Sequence, residues 1–246
     1  LHTATLVHDD IIDNSDLRRG KTTVNVAWSN SHGVLIGDFI YSKAFMLMNE
    51  IGNFKVIDEL SSATNKIAEG ELMQLANKNN LNTSLQQLKK ISYYKTGRLF
   101  EASAKSAAML SGKSIPFIEN ISKAAKLIGI AFQVRDDLLD YGVSKGNIGK
   151  PEMQDILEDK ITYPLYFALK YSNKKDSSKI LKKLKNKDFS IKEVADFVSS
   201  SNAFNKCNSL IQNYNNEISK CINQISNKEI RDEMLNLSES LKNRYE

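Results

Sequence analysis

Two acidic clusters carry the most chemical information in the chain: Asp9-Asp10-Ile11-Ile12-Asp13 and Asp136-Asp137-Leu138-Leu139-Asp140. Both read D-D-x-x-D within an otherwise apolar helical pattern. Residues i and i+4 share a helix face, so Asp9 aligns with Asp13 and Asp136 with Asp140. Carboxylates this close repel one another and are costly to bury unpaired. Their recurrence on core-forming helices points to a hard divalent cation with oxygen ligands, above all magnesium held together with a phosphorylated substrate. Gln133, Asp136, Asp137 and Asp140 fall at i, i+3, i+4 and i+7, one polar stripe beside an apolar one. His2 lies on the side of Asp9 and Asp13, since seven residues make nearly two turns. Alone it reads as a structural histidine, and its alignment with the acids favours ligand contact. His8 faces elsewhere and reads as structural.

Basic residues flank these acids. Arg18 and Arg19 follow the first cluster at once, and paired guanidinium forks suit a diphosphate. Lys95-Thr96 lies mid-helix, where Lys95 by itself reads as a snorkelling surface lysine. Lys150, Asp155 and Lys160 follow the second cluster on a charged segment suited to a lid over phosphates. Asp38, within Gly37-Asp38-Phe39, falls on the apolar face of its helix and reads as a buried hydrogen-bonding group. Phe45-Met46-Leu47-Met48 reads as core before pocket floor. No serine-histidine-aspartate, cysteine-histidine or glycine-rich nucleotide motif competes with the acidic clusters.

The elements that must position these groups are helices. The chain has 246 residues, 41% of them hydrophobic, with only three prolines and eleven glycines, a composition that favours long helices, short connections and one sizeable core. We expect a first helix to about residue 15, ending in Asn14-Ser15-Asp16. A second is expected from about Ser31 to Glu50, with Leu35, Phe39, Ser42, Phe45 and Met46 on one side, and a third from Lys55 to Asn77. A fourth should run from a capping box of Thr83 and Gln86 to about Ser111. A further helix opens at Pro116 and carries the second cluster. Residues 142 to 160 read as a polar loop, and Ser190 with Glu193 as another capping box. With no linker or low-complexity tract, residues 1–246 read as a single helical domain.

Composition also excludes functions. No apolar run reaches the roughly 18 residues needed to span a bilayer, so no transmembrane segment is expected, and no signal peptide is visible. Cys207 and Cys221 fit a reduced cytoplasmic protein better than a disulfide framework. The net charge of +5 owes much to Lys174, Lys175, Lys179, Lys182, Lys183, Lys185 and Lys187, offset locally by Asp176 and Asp188, a run that reads as a solvated helix face or loop. No nucleic-acid partner is expected, because no aromatic interleaving accompanies it.

On these residues the chain resembles the polyprenyl synthetase family, the trans-isoprenyl diphosphate synthases. His2 through Asp13 with Leu17-Arg18-Arg19-Gly20-Lys21 resembles the family's first aspartate-rich motif, and Phe132 through Tyr141 its second. Gly37-Asp38-Phe39, Ile67-Ala68-Glu69-Gly70-Glu71 and Tyr94 through Phe100 match further family blocks in order. The resemblance is firm to about residue 170, nearest to long-chain bacterial synthases of the octaprenyl type. It implies an all-α isoprenoid synthase-type bundle around a central cavity, in a homodimer. It implies a prenyltransferase that extends an allylic diphosphate, such as farnesyl diphosphate, with isopentenyl diphosphate to a long all-trans polyprenyl diphosphate. Asp9, Asp10, Asp13, Asp136, Asp137 and Asp140 would bind three magnesium ions. Arg18, Lys95, Thr96, Gln133, Lys150 and Lys160 would hold the allylic diphosphate, and His2 and Arg19 the isopentenyl diphosphate. Among these, Asp9, Asp13, Arg18, Lys95, Asp136 and Lys150 would be catalytic.

Small residues at Ala4 and Thr5, about one turn before Asp9 (a rise of roughly 5.4 Å), imply an unplugged tunnel and a long product, with Phe45, Leu47 or Met48 as a deeper floor. The family's upstream glycine-lysine-arginine motif is absent, so the sequence reads as lacking N-terminal helices, and Met153 stands where the family usually has glycine. The rival readings are a non-catalytic regulatory subunit of a synthase, which would typically lose the acidic motifs, and a class I terpene cyclase, whose second metal motif has another pattern.

Overall fold

The computed structural model describes residues 1–142 and 153–243, the side chains only to 240. The fold is helical apart from one short hairpin. Among the described residues it divides into two compact units, residues 1–64 and the remainder from 65 onward. The division falls within one helix, Phe54–Ala76.

In the first unit, α1 (His2–Ile12) is followed by β1 (Leu17–Arg18) and β2 (Lys21–Thr22), then α2 (Val24–Ala27) and α3 (Asn30–Ile51). The two strands pair antiparallel, Arg18 opposite Lys21. Arg19 and Gly20 turn between them at φ +52° and +74°, the positive pair that a tight two-residue hairpin turn demands. α3 opens on Ser29, whose hydroxyl accepts the His32 amide, one of the orphan donors of a helix start. α1 and α3 pack antiparallel through the notch left by Gly33 and Gly37. A methyl group on Gly33 would press into Ile11, and one on Gly37 would overlap the His8 ring.

This packing overturns the expected apolar face of the second helix. The buried residues of α3 are Gly33, Gly37 and Met48, while Leu35, Phe39 and Met46 are exposed. Small residues, which let two backbones approach, mark the packed side. Asp38 is accordingly exposed, not buried, and sits 3.5 Å from His8 Nε2. α1 also ends earlier than the expected residue 15, because Asn14 takes φ +49° and Asp13 serves as its C-cap.

The second unit begins within α4 (Phe54–Ala76), followed by α5 (Leu85–Ser92), a π-helical turn Tyr93–Gly97 and α6 (Arg98–Leu110). Then come α7 (Ile115–Asp140), α8 (Gln154–Leu157), α9 (Tyr163–Tyr171), α10 (Lys174–Asn186), α11 (Ile191–Ser200), α12 (Ala203–Ile222) and α13 (Lys228–Asn243). α7 is the axis, packed between α6 and α12. Its Ile128, Ala131, Val134 and Leu138 are fully buried. Burying each large side chain among them contributes roughly 1.5 to 3 kcal/mol. Where α7 crosses the π turn, a methyl on Gly129 would stand 2.7 Å from the Gly97 Cα, so the contact requires glycine there.

Other expectations are corrected in detail. The capping box before α5 is made by Ser84 and Gln87, not by Thr83 and Gln86. The Thr83 hydroxyl instead donates to the Asn80 carbonyl at 2.6 Å and is buried. The expected single helix to Ser111 is broken by the π turn. Ser190 accepts the Glu193 amide, but the Glu193 carboxylate takes the Lys183 ammonium at 2.7 Å and leaves the box half made. Part of the expected loop from 142 to 160 is α8. Cys207 and Cys221 are free and buried. Among the described residues no helix is long and apolar enough to cross a membrane.

Candidate functional site

In the first unit, α1 presents Asp9 and Asp13 half-buried and sends Asp10 inward, where its side chain is 6% exposed. Asp10 Oδ1 accepts from Arg18 Nε at 2.6 Å, a pair that ties the hairpin to the helix. Two residues expected to serve metal and diphosphate respectively are thus partners of each other. Arg19, at the tip of the turn, is exposed. The His2 imidazole has its pKa lowered by partial burial, then by the positive charges of Arg19 and Arg18, so it is biased towards its neutral form. Ala4 is fully buried, and the Thr5 hydroxyl donates to the His2 carbonyl at 2.7 Å. Of the expected floor residues, Met48 is buried while Phe45 and Leu47 are exposed. His8, read as structural, stacks on Tyr41 with ring centroids 5.9 Å apart.

In the second unit, the last two turns of α7 carry an acid array. Thr96 Oγ1 donates to Gln133 Oε1 at 2.7 Å, and Gln133 Nε2 donates to Asp137 Oδ1 at 2.9 Å. The second Asp137 oxygen accepts the Tyr163 amide at 3.2 Å. Burial, followed by the charge of Asp155, still holds the Asp137 carboxyl well above the usual range. Asp136, one position earlier, is exposed. Asp140 accepts the Gln154 amide at 2.9 Å and the Asp155 amide at 3.2 Å, and its backbone carbonyl accepts Met153 N at 2.7 Å. It therefore holds the first turn of α8. Asp155 is pushed up to about 7 by burial and then by Asp140, with Lys160 opposing. Lys160 is buried and paired with Glu158. Met153 supplies the positive φ, +62°, that glycine adopts without strain. The cost of about 1 kcal/mol for a left-handed residue is offset by a side chain only 2% exposed in the core.

Lys95 projects from the π turn towards α4. Its ammonium lies 2.8 Å from Glu71 Oε1 and 2.9 Å from Gln74 Oε1, so it is held, and not snorkelling. Glu71, quoted in a family block but given no role, and Gln74 are functional candidates that the sequence did not single out. The available signal was their i, i+3 spacing on α4. Lys150 lies outside the described residues.

The donor set tests the expected cation. All the candidate ligands are carboxylate oxygens, which hard divalent ions prefer. Among the described residues no group of three or more acids, histidines or cysteines is gathered closely enough to hold an ion by itself.

The fold and these motifs coincide with a known class. The polyprenyl synthetase family model matches residues 1–201. Octaprenyl diphosphate synthase of Escherichia coli (strain K12) is 42% identical over 180 residues, which is 73% of this chain and 56% of that protein. The crystal structure of a Caulobacter crescentus CB15 polyprenyl synthase, complexed with calcium and isoprenyl diphosphate, matches with a TM-score of 0.92 at 30% identity, covering 100% of this chain and 76% of that one. A decaprenyl diphosphate synthase from Rhodobacter capsulatus matches with a TM-score of 0.91 at 29% identity over the same shares. The chain belongs to the polyprenyl synthetase family. It spans about half the length of the curated relatives it matches.

Proposed function

We propose that the protein is a trans-prenyltransferase that condenses isopentenyl diphosphate onto an allylic diphosphate and gives a long-chain polyprenyl diphosphate. The observation that carries this reading is the presence, in a chain of this family, of both intact acidic clusters, the second embedded in a network that runs from Thr96 through Gln133 to Asp137. A non-catalytic subunit has no use for such an array.

Asp9, Asp13, Asp136 and Asp140 are the residues that would hold magnesium, which supplies neutralising charge to the departing diphosphate. Lys95, Arg18, Lys150 and Lys160 grip the same diphosphate, and their charges favour heterolysis of the allylic carbon–oxygen bond. The alkene of isopentenyl diphosphate, held by His2 and Arg19, forms the new carbon–carbon bond. The proton then lost goes to the released diphosphate, so the chain's own groups need not titrate in that step. Neutral His2 can donate a hydrogen bond without adding a charge near the cation. The reaction requires that water be kept from the cation, which it would otherwise quench.

Small Ala4 and Thr5 support a long product, and the same reading extends to a homodimer. The test is incubation with farnesyl diphosphate, radiolabelled isopentenyl diphosphate and magnesium, with the chain alone and joined behind a glycine-lysine-arginine segment from a relative. The expected outcome is a polyprenyl ladder reaching long chains, shortened by Ala4→Phe. Failure to incorporate label in both forms would rule the reading out.

A further inference from the structure

α10 concentrates charge to an unusual degree. Lys174–Asn186 holds six lysines and one aspartate, so this helix alone carries as much net positive charge as the entire chain, +5. The remaining residues sum to neutrality. The charge is also sorted by face. Ser177 and Ile180 are buried, and Leu184 packs on the large core cluster of the second unit. The Ser177 hydroxyl donates to the Leu169 carbonyl at 2.9 Å and fixes the helix to α9. Lys174, Lys175, Lys179, Lys182 and Lys185 all lie on the opposite side and are exposed. At 3.6 residues per turn they fill a sector of about 140°.

Among the described residues, no ion pair or hydrogen bond engages the side chains of these five lysines. Lys183 and Lys187, at the margins, are the ones neutralised, by Glu193 at 2.7 Å and Asp159 at 2.8 Å. A solubilising helix face ordinarily mixes both signs. Five exposed lysines with no ion pair among the described residues repel one another, and such a face suits a partner carrying dense negative charge.

We propose that the lysine face of α10 is a docking surface for anionic membrane. α10 carries no aromatic side chain among its five exposed lysines. A base-stacking site needs aromatic platforms and a groove, whereas a lipid headgroup layer needs only facing charge. The same face presents no apolar anchor, so the association is peripheral, reversible and salt-sensitive. The inference goes beyond the function proposed above and stands or falls independently of it. If that function holds, the product has an anionic head and a long apolar tail, and it would partition to the same surface.

Sedimentation with vesicles tests it. The intact chain should pellet with vesicles of equal parts phosphatidylcholine and phosphatidylglycerol, and not with phosphatidylcholine alone. Raising the salt from about 0.1 M to about 1 M, which shortens the screening length from about 10 Å to about 3 Å, should release it. Changing all five lysines to glutamine should lower the partition coefficient on the order of tenfold or more, while five arginines should retain binding and guard against a folding artefact. Prenyl-transfer turnover, measured without vesicles, should be the same in all three proteins. Three results would overturn the proposal: no preference for the anionic vesicles, equal binding of the glutamine variant, or displacement from vesicles by RNA at lower charge concentration with the same five-lysine dependence. The last would assign the face to nucleic acid instead.

Discussion

Adjacent aspartates in one motif meet different fates. Asp10 is buried against Arg18, while Asp9 and Asp13 stay half-buried on α1. Removing one member of a buried pair strands the other charge, which typically costs about 3 kcal/mol. Asp10→Ala should therefore lower the unfolding free energy, read from denaturant titration, by that order. Asp9→Asn and Asp13→Asn should cost less stability than Asp10→Ala and reduce turnover on the order of 100-fold. Equal stability losses in all three would mean that the cluster is structural. A second outcome concerns pH. Asp155 is raised from 3.8 to about 7, so folding takes up a proton between those values. The contribution is fully present below the unfolded value and is lost as pH rises through the folded one. In metal-free buffer the melting temperature should fall from about pH 4 to about pH 7, and Asp155→Asn should flatten that slope. A slope unchanged in the variant would place its origin elsewhere.

At the scale of elements, the site depends on helices meeting backbone to backbone. α7 reaches the π turn only because Gly129 and Gly97 face each other, and that contact sets Thr96 beside Gln133. Gly129→Ala places a methyl 2.7 Å from backbone that has no side-chain rotamer to yield. Overpacking of this kind costs about 1 to 3 kcal/mol, and the turn carrying Lys95 must shift with it. Both stability by denaturant titration and affinity for the allylic diphosphate should fall. Wild-type affinity in a destabilised variant would uncouple the crossing from the site. The π turn itself is a helix irregularity of the sort that often accompanies functional residues. Here it turns Lys95 towards Glu71 and Gln74 on α4.

At the scale of the whole molecule, the proposed reaction requires both acidic clusters to serve one substrate although they belong to different compact units. A double-mutant cycle on Asp9→Asn and Asp136→Asn, read out as the magnesium concentration for half-maximal turnover, measures that cooperation. Groups that act on one assembly are strongly non-additive. The double variant should be much less impaired than the product of the two single effects. Strict additivity would mean that the clusters act separately.

The sequence by itself determined the helical class, the two acid clusters and their basic companions, because helical periodicity and side-chain charge are local properties legible along the chain. It also located the first turn of α7 at Pro116, since a proline ring imposes its dihedral wherever it stands. Tertiary structure alone decided which members of each cluster turn inward. Asp10 and Asp137 are buried and hydrogen-bonded while Asp136 is exposed, a distinction made by hairpin and amide donors that arrive from elsewhere in the chain. It alone showed that α3 packs through Gly33 and Gly37 and leaves Leu35, Phe39 and Asp38 outside. Hydrophobicity ranks side chains by their aversion to water. How closely two backbones can approach is set by side-chain volume on both partners, and the partner of a helix face is not written in that face.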